Sequence, residues 1–449
     1  MISRRAGFYL LLFLFVCGTA ALGYVVPRTA FLPALLIFSA LFFIYWALYR
    51  LTRAKLSLKR ILFLALIVRL VLLIAVPPWS EDYIRFVWDG QLLLQGHNPY
   101  TLTPGEFMAM APPASNEFLQ ELYSGLNSPD YHSVYTPANQ LVFWLAAWLA
   151  DENLTRAVVV IRLILIVFEM LTLILMYRML ELLRMPPKRI LLYGLNPLVI
   201  MEVTGNLHFE GMMLTFILAA MLFLLRNATA ASGAFLGAAV AVKLNPLMLV
   251  PVFLKKLHKS AWGIFIITCT FVISVGLAPL LWGNALEGYL ESLGLYASSF
   301  EFNASVYYLL REMGYWTHGY NLIGVWGPVL KWLTLLMIAW VAWKTGKGSA
   351  VTWIEKLLLV YWFFFMFSTV VHPWYILPAV AISAFTQKRA FLVWSFLVFL
   401  SYHAYQREDY SESFWILGVE YLGVLLALGW DYVDKFRPKA VSLLQRRST

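Results

Sequence analysis

Residues 61–90 read ILFLALIVRLVLLIAVPPWSEDYIRFVWDG. The first part of this stretch, residues 61–76, is apolar and ends at Pro77-Pro78, and the second part holds three carboxylates and an arginine. A helix of this length can cross much of the hydrocarbon core of a membrane. We therefore expect the polar residues to emerge at a membrane surface and to form the centre around which the chain is organised.

The composition places the chain among membrane proteins. Of its 449 residues, 61% are hydrophobic and 13% are charged, whereas a soluble domain carries about 25% charged residues. Apolar runs of about 17–25 residues, the length of a transmembrane helix, recur along the sequence. Trp, Tyr and Phe are abundant enough to supply aromatic belts at both membrane interfaces. The sequence therefore predicts an all-α polytopic membrane protein.

The distribution of charge predicts the topology. Basic residues cluster in alternate short connections, such as residues 50–60 and 184–189, and acidic residues occupy the intervening ones, such as residues 81–130. By the positive-inside rule the basic connections and both termini are cytoplasmic, and the acidic loops lie outside. The net charge of +10 is explained by this pattern, so we expect a membrane setting and no nucleic-acid partner.

We expect one transmembrane domain over residues 1–449. The connection after the third apolar run is far longer than a usual interhelical link, which is typical of a functional or disordered segment, and its many aromatic residues argue against disorder. Within residues 235–254, Lys243, Asn245 and Pro246 interrupt an apolar run, which predicts a broken helical hairpin. The predicted segments are a catalytic outer loop (79–137), an interfacial helix (138–150), a second outer loop (282–321) and a cytoplasmic tail (435–449).

Glu81 and Asp82 are the first candidates for chemistry. A carboxylate at the boundary between membrane and water can act as a general base toward a hydroxyl group. Burial would raise its pKa, and Arg85 nearby would favour the ionised form. A second interpretation is structural, since Ser80 followed by acidic residues is also how a helix begins. The two interpretations are compatible.

Several motifs together resemble GT-C glycosyltransferases, and in particular bacterial polyprenyl-phosphate-mannose-dependent mannosyltransferases. Four of them look like the first outer loop of these enzymes, and the others are spread along the chain to the tenth predicted span. The first-loop motifs are Glu81-Asp82-Tyr83, Trp88-Asp89-Gly90, Gly96-His97-Asn98-Pro99-Tyr100 and Tyr135-Thr136-Pro137. The later ones are Asn196-Pro197, Gly205-Asn206-Leu207-His208-Phe209-Glu210, Val242-Lys243-Leu244-Asn245-Pro246, Phe302-Asn303-Ala304-Ser305-Val306-Tyr307 and His372-Pro373-Trp374-Tyr375.

The resemblance implies a GT-C-like bundle of about 12–14 transmembrane helices and an inverting transfer of a sugar, expected to be mannose. The donor would be a polyprenyl-phosphate sugar, the acceptor a lipid or glycan, and the site would face the periplasm from the bacterial inner membrane. Asp82 best matches the family's base. Glu81 stands where relatives often have a second aspartate, so either carboxylate could serve, and Asp89 would orient the loop or acceptor. The alternative function is a transporter or flippase of lipid-linked sugars.

A departing lipid phosphate needs cationic or hydrogen-bonding partners. The candidates for binding the donor phosphate or sugar are Arg85, His208, Glu210, Lys243, His372 and Tyr375. Each position also has a structural interpretation: His372 can belong to an interfacial aromatic cluster, His208 and Glu210 can be ordinary turn residues, and Lys243 can extend to the interface.

The remaining candidates lie in the outer loop, where they would contact the acceptor or shape the loop: Trp88, His97, Asn98 and Tyr100. The spacing of His208 and Glu210 lacks the helical two-His pattern of zincins. Some GT-C relatives use a divalent metal and many lipid-phosphate-sugar enzymes use none. We therefore expect no cofactor and no metal site.

Overall fold

The computed structural model describes residues 4–53, 56–110, 116–346 and 348–433. Within these ranges the chain is helical, and the one pairing of extended backbone is an isolated bridge between Phe302 and Val370. Seven helices of the described ranges are long and apolar enough to cross a membrane. The prediction of an all-α polytopic membrane protein is confirmed.

The first part of the chain alternates long apolar helices with the short helices of the outer loop. The helices are α1 (Arg4–Tyr24), α2 (Phe31–Leu51), α3 (Leu58–Leu70), α4 (Asp82–Leu94), α5 (Pro104–Met110), α6 (Glu117–Ser124), α7 (Pro137–Ala150), α8 (Leu154–Leu182), α9 (Leu191–Gly194), α10 (Pro197–Val199), α11 (Glu210–Leu225) and α12 (Thr229–Val242). A π-helical segment, Ile200–Gly205, connects α10 to the turn before α11.

The second part completes the bundle. Its helices are α13 (Val250–Lys256), α14 (Trp262–Leu277), α15 (Ala285–Ser298), α16 (Val306–His318), α17 (Ile323–Trp343), α18 (Ala350–Phe367), α19 (Leu377–Ser383), α20 (Ala390–Leu397) and α21 (Phe414–Val433). The 3-10 segments along the chain are Pro187–Ile190, Asn245–Leu249, Lys259–Ala261, Ala278–Leu281, Pro373–Ile376 and Val398–Gln406. The second outer loop, predicted at residues 282–321, contains α15 and α16.

The number of uninterrupted spans differs from the expected 12–14. The described residues contain seven, or eight if the bent pair Pro197–Gly205 and Glu210–Leu225, which meet at 114°, is one span. The difference arises because several apolar runs are broken into pieces shorter than the bilayer requires. Helix α3 ends at Leu70, before Pro77-Pro78, and the run at residues 191–204 is divided at Asn196-Pro197. Proline breaks helices because it lacks the N–H donor.

The interruption predicted around Lys243 is present in the structure. Helix α12 ends at Val242, Lys243 is extended, and a 3-10 segment begins at Asn245. The carbonyl of Val242, freed by this break, accepts hydrogen bonds from the Thr136 hydroxyl at 3.0 Å and the Asn139 amide at 3.1 Å. Broken backbone at membrane depth needs such partners. The contacts join the start of α7 to the break.

Arg162 donates hydrogen bonds to backbone carbonyls at the break after the π-helical segment. Its side chain on α8 is fully buried and donates hydrogen bonds to the carbonyls of Thr204 at 2.7 Å, Gly205 at 3.1 Å and Leu73 at 2.7 Å. A buried guanidinium that satisfies three carbonyls holds the irregular backbone in one conformation. Arg162 therefore fixes the position of the turn that carries His208.

The predicted outer loop, residues 79–137, packs onto α7 through α4. An added Cβ at Gly90 on α4 would lie 2.3 Å from the carbonyl oxygen of Phe143 on α7, so only glycine allows the two helices this close. Phe86, one turn earlier, stacks on Phe143 with ring centroids 4.6 Å apart. Helix α4 is thus fixed along its length, and its first residue, Asp82, has a defined position.

Helix α7 corresponds to the interfacial helix expected at residues 138–150. Its outer side exposes Leu141, Trp144 and Trp148, and the two indoles stack with centroids 6.2 Å apart. Exposed tryptophans of this kind suit the interfacial region of a membrane. The location of the helix in the interface stays a prediction. The predicted tail at residues 435–449 lies outside the described residues.

Candidate active site

Asp82 begins α4 and faces a cluster of polar side chains. Its backbone N–H donates to Ser80 Oγ at 3.3 Å, so Ser80 contacts the start of the helix as the structural interpretation expects. The catalytic role of the Asp82 carboxylate stays a prediction. The carboxylate accepts a hydrogen bond from the Tyr135 hydroxyl and lies 3.9 Å from His208 Nε2, measured at Oδ2. About a third of the side chain, 32%, remains exposed.

The surroundings of Asp82 suit a general base. Burial raises the pKa of the Asp82 carboxyl, and the nearby His208 and Lys243 side chains partly oppose the rise. A base is most effective when its pKa approaches the working pH, because a large fraction is then ionised and the ionised form still binds a proton well. A raised pKa, partial exposure and a fixed helix position together make Asp82 able to take a proton from a bound hydroxyl.

His208 is held on two sides. Its Nδ1 atom is hydrogen-bonded to Glu202 Oε2 at 3.0 Å, and its ring stacks on Trp374 with centroids 3.8 Å apart. The remaining ring nitrogen, Nε2, is buried and has no hydrogen-bond partner, and it is the atom nearest to Asp82. The imidazole is thus oriented with one free nitrogen toward the carboxylate.

Glu202 was not among the residues predicted from the sequence. It lies in the π-helical segment, is fully buried, and accepts hydrogen bonds from Tyr402 Oη at 2.5 Å and Asn206 Nδ2 at 3.0 Å. A sequence signal was available, since an acidic residue inside an apolar run is a functional hypothesis by default. The apolar run at residues 191–204 predicts one regular span, in which Glu202 does not stand out as a site residue.

An aromatic stack continues from His208. Trp374 lies between His208 and His372, with 4.3 Å between the indole and His372 centroids, and Phe302 stacks on the far side of His372 at 4.8 Å. Burial, with the nearby positive charge of His208 and Lys243, lowers the pKa of His372 to about 3. His372 is therefore neutral near pH 7 and can contact an anion through a hydrogen bond. Its Nδ1 atom is buried and lacks a partner.

Lys243 supplies the positive charge of the cluster. Its ammonium group pairs with Glu210 and lies 5.1 Å from the Tyr375 ring centroid, a cation–π contact. The Lys243 side chain is 30% exposed, whereas the Glu210 side chain is 1% exposed and its Oε2 atom has no hydrogen-bond partner. Glu210 thus anchors the Lys243 ammonium group on its buried side, and the other side of the lysine remains exposed. The structure brings together five predicted residues around Asp82: His208, Glu210, Lys243, His372 and Tyr375.

The other two predicted catalytic carboxylates have different surroundings. Glu81 pairs with Arg28 near the protein surface. Asp89 is fully buried and accepts hydrogen bonds from Arg85 Nε at 2.7 Å, Ser133 Oγ at 2.5 Å and Gln140 Nε2 at 2.8 Å. Its oxygens are occupied by donors of the predicted outer loop and by Gln140 of α7, which makes Asp89 suited to hold that loop against α7.

Arg85, predicted for the donor phosphate, is engaged inside the outer loop. Besides Asp89 it donates to the carbonyl of Tyr131 at 2.9 Å, and it is 6% exposed. Trp88 is buried against Phe107, with centroids 5.8 Å apart.

The three remaining loop candidates have local partners. His97 is exposed and touches Phe107 with its ring, and Asn98 Oδ1 accepts the Tyr100 backbone N–H at 3.0 Å. The Tyr100 hydroxyl donates to the Tyr135 carbonyl at 2.6 Å. Tyr100 therefore fixes the backbone of the residue whose own hydroxyl contacts Asp82.

Across residues 4–53, 56–110, 116–346 and 348–433, no group of three or more His, Cys, Asp or Glu side chains is arranged to hold a metal ion. The expectation of a metal-free site stays a prediction.

Comparison with known proteins gives one family. A family model described as alpha-(1->6)-mannopyranosyltransferase, N-terminal domain, matches residues 15–258. The matched range is more than half of the 449 residues, and it contains Asp82, Glu202, His208 and Lys243. The match confirms the resemblance to GT-C mannosyltransferases. A search of curated proteins finds no match.

Proposed function

Since the chain belongs to the alpha-(1->6)-mannopyranosyltransferase family, we propose that it transfers mannose from a polyprenyl-phosphate donor to a lipid or glycan acceptor. The family makes the protein a glycosyltransferase of the mannosyltransferase class, and its apolar helices make it a multi-pass membrane protein. The donor, the stereochemistry and the side of the membrane belong to the proposal.

The proposed reaction is a single displacement with inversion. Asp82 removes the proton of an acceptor hydroxyl, and the oxygen forms a bond to the anomeric carbon of the donor. The bond from that carbon to the phosphate oxygen breaks on the opposite face, and its electron pair stays with the phosphate. The observation that carries this assignment is the partly exposed Asp82 carboxylate, which lies beside His208 with the Lys243 cation nearby.

Lys243 and His372 are the proposed partners of the departing phosphate. The Lys243 ammonium is anchored by Glu210 and remains partly exposed, so it can stabilise negative charge that develops on the phosphate. His372, neutral because of its burial, can add a hydrogen bond. Tyr375 borders both side chains, with its ring in contact with Lys243 and 5.3 Å from the His372 ring.

The proposed location is the bacterial inner membrane, with the site on the periplasmic side and both termini in the cytoplasm. The support is the charge pattern: basic connections alternate with acidic ones, and Asp82 lies in an acidic connection. A lipid-linked donor could enter such a site from the membrane.

The test is a transfer assay with purified protein in liposomes. Radiolabelled polyprenyl-phosphate mannose and a membrane lipid extract are supplied, and wild type is compared with Asp82→Asn. Transfer by wild type and its loss in a correctly folded Asp82→Asn variant are the expected results. Movement of the labelled lipid across the bilayer without transfer would overturn the proposal in favour of a transporter.

A further inference from the structure

We propose that Glu202 holds His208 in the tautomer whose free Nε2 atom receives the proton that Asp82 takes from the acceptor. Glu202 and His208 would thus be positioning residues that return Asp82 to its ionised form during turnover. This inference rests on the proposed transferase function and adds to it a path for the proton.

The tautomer follows from the partners of Glu202. Asn206 Nδ2 can only donate, and it donates to Glu202 Oε2 at 3.0 Å, while the Tyr402 hydroxyl donates to Oε1 at 2.5 Å. A carboxylate that receives these bonds acts as an acceptor toward His208 as well. The hydrogen in the 3.0 Å contact therefore belongs to His208 Nδ1, which leaves the lone pair of the neutral ring on Nε2.

The position of Nε2 supports its role as proton acceptor. It is buried, has no hydrogen-bond partner, and lies 3.9 Å from Asp82 Oδ2. That separation is longer than a hydrogen bond, but catalytic contacts are often long in ligand-free sites and shorten when substrate binds. Stacking on Trp374 keeps the ring in this plane. A proton transfer from Asp82 to His208 Nε2 explains why this buried atom has no hydrogen-bond partner and lies toward the base.

The proton balance is complete within the site. The acceptor O–H bond breaks and the proton passes to an Asp82 oxygen; it then moves to His208 Nε2, and Asp82 is again a carboxylate. The imidazolium that forms is paired with Glu202 on one side and Asp82 on the other. When the product leaves, the proton passes to water.

Other ionisable groups also surround His208, and the test must separate their effects. Glu202, in the π-helical segment, contacts the ring, and Tyr402, in the 3-10 segment Val398–Gln406, contacts Glu202. The remaining titratable groups of the cluster are Asp82, Tyr135, Glu210, Lys243 and His372. A Glu202 substitution leaves all five of these in place.

The variant that tests the inference is Glu202→Gln, assayed in the same liposome system. Glutamine lacks the negative charge that pairs with the imidazolium, which makes proton acceptance at His208 Nε2 unfavourable. We expect kcat to fall about 10²-fold, with KM for the donor unchanged. Because the proton on Asp82 can then no longer pass to His208, we expect the pH dependence of kcat in Glu202→Gln to differ from that of wild type.

His208→Gln provides a second variant, and the double variant tests whether the two residues act together. Residues that act as one unit give losses that do not multiply, so the double variant should have the kcat of the weaker single variant. Ser395→Ala is the matched control: it removes a buried 2.8 Å hydrogen bond to Asn196, in the same broken region, without touching His208. Its kcat and pH profile should equal those of wild type.

The outcomes separate this inference from the proposed function. If wild type transfers no sugar, the proposed function fails. If wild type is active and Asp82→Asn is not, yet Glu202→Gln or His208→Gln keeps wild-type kcat and pH profile, the relay alone is overturned. Losses that multiply in the double variant, or that appear in KM or thermal stability alone, also overturn it.

Discussion

Glu81 and Asp82 are adjacent in the sequence, yet their carboxylates have separate partners. Glu81 pairs with Arg28, whose guanidinium also lies 5.2 Å from the Tyr405 ring centroid. Asp82 begins α4 and faces Tyr135 and His208. Because the helix starts between them, the two side chains leave the backbone in different directions. Of the two carboxylates, Asp82 is the one whose surroundings include His208 and Lys243.

We expect Asp82→Asn to abolish most of the transferase activity and Glu81→Gln to preserve it. An amide cannot accept the proton, so the first variant should lose about 10²–10⁴-fold in kcat. Glu81→Gln removes only a partly exposed ion pair, which contributes little. Initial rates with labelled donor give the comparison. Equal losses in the two variants would show that both carboxylates take part.

The pH dependence should follow the pKa of Asp82. Burial raises this pKa, and the carboxyl acts as a base only when ionised. As the pH decreases, kcat/KM should therefore start to fall at a higher pH than the ordinary aspartate value of about 3.9 implies. His372, with its pKa lowered to about 3, remains neutral through this range. Rates and thermal unfolding measured over the same pH series distinguish titration of the base from acid unfolding. Full activity down to the pH at which an ordinary aspartate begins to take up a proton would contradict this prediction.

Lys243 should contribute to donor use beyond its role as partner of Glu210. Lys243→Met alone leaves a buried carboxylate unpaired, which destabilises the fold. The informative variant therefore combines Lys243→Met with Glu210→Gln. We expect it to fold and to lose about 10²-fold in kcat/KM for the donor, because a cation beside the departing phosphate is missing. Glu210→Gln alone is the control. If the double variant has the donor kinetics of wild type, the Lys243–Glu210 pair has only a structural role.

Asp89 should matter for stability of the outer loop. Asp89→Asn breaks a buried pair with Arg85, and removal of one partner of such a pair costs about 3–5 kcal/mol in the free energy of unfolding. The midpoint of thermal unfolding should fall, while the pH profile of the remaining activity stays that of wild type. Arg178→Gln, which breaks an exposed pair with Glu181, serves as the control and should change neither. A shifted pH profile in Asp89→Asn would instead give Asp89 a part in the chemistry.

The contact of α4 with α7 can be tested through its glycine. A Cβ at position 90 would meet the Phe143 carbonyl oxygen at 2.3 Å, so Gly90→Ala must separate the helices and should cost about 1–3 kcal/mol in stability. Because α4 carries Asp82, activity should fall as well. Gly263→Ala, in α14, places its Cβ where no atom lies within 4 Å and should be neutral. Equal stability of the two variants would mean that the loop adjusts freely.

The sequence predicts the fold class and much of the polar cluster, for identifiable reasons. Helices are revealed by the lengths of apolar runs, and the break at Lys243 by Asn245-Pro246. Charged or imidazole side chains at membrane depth stand out against apolar neighbours, which is how His208, Glu210 and Lys243 were found. Their assembly with His372 depends on packing between distant helices, which spacing alone does not determine.

The residues that sequence reasoning misplaced or missed depend on tertiary contacts. Arg85 was expected near the donor because its charge is close to Asp82 in sequence, but the helical spacing of four residues pairs it with Asp89. Glu202 was missed because the irregular π turn that turns it inward is stabilised by Arg162 from another helix. The described residues contain fewer uninterrupted spans than 12–14, because an apolar run broken by proline retains its composition but is divided into shorter helices.

The π-helical segment Ile200–Gly205 makes the spacing between Glu202 and His208 intolerant of length changes. Each hydrogen bond of a π turn encloses one residue more than that of an α turn, so deletion of one residue here would restore a regular helix. The residues that follow would then rotate by about 100° around the helix axis. His208 would be carried away from Asp82 although every side chain of the site was still encoded. We therefore expect natural insertions and deletions in the family to avoid this segment and to collect in loops such as the one before α15.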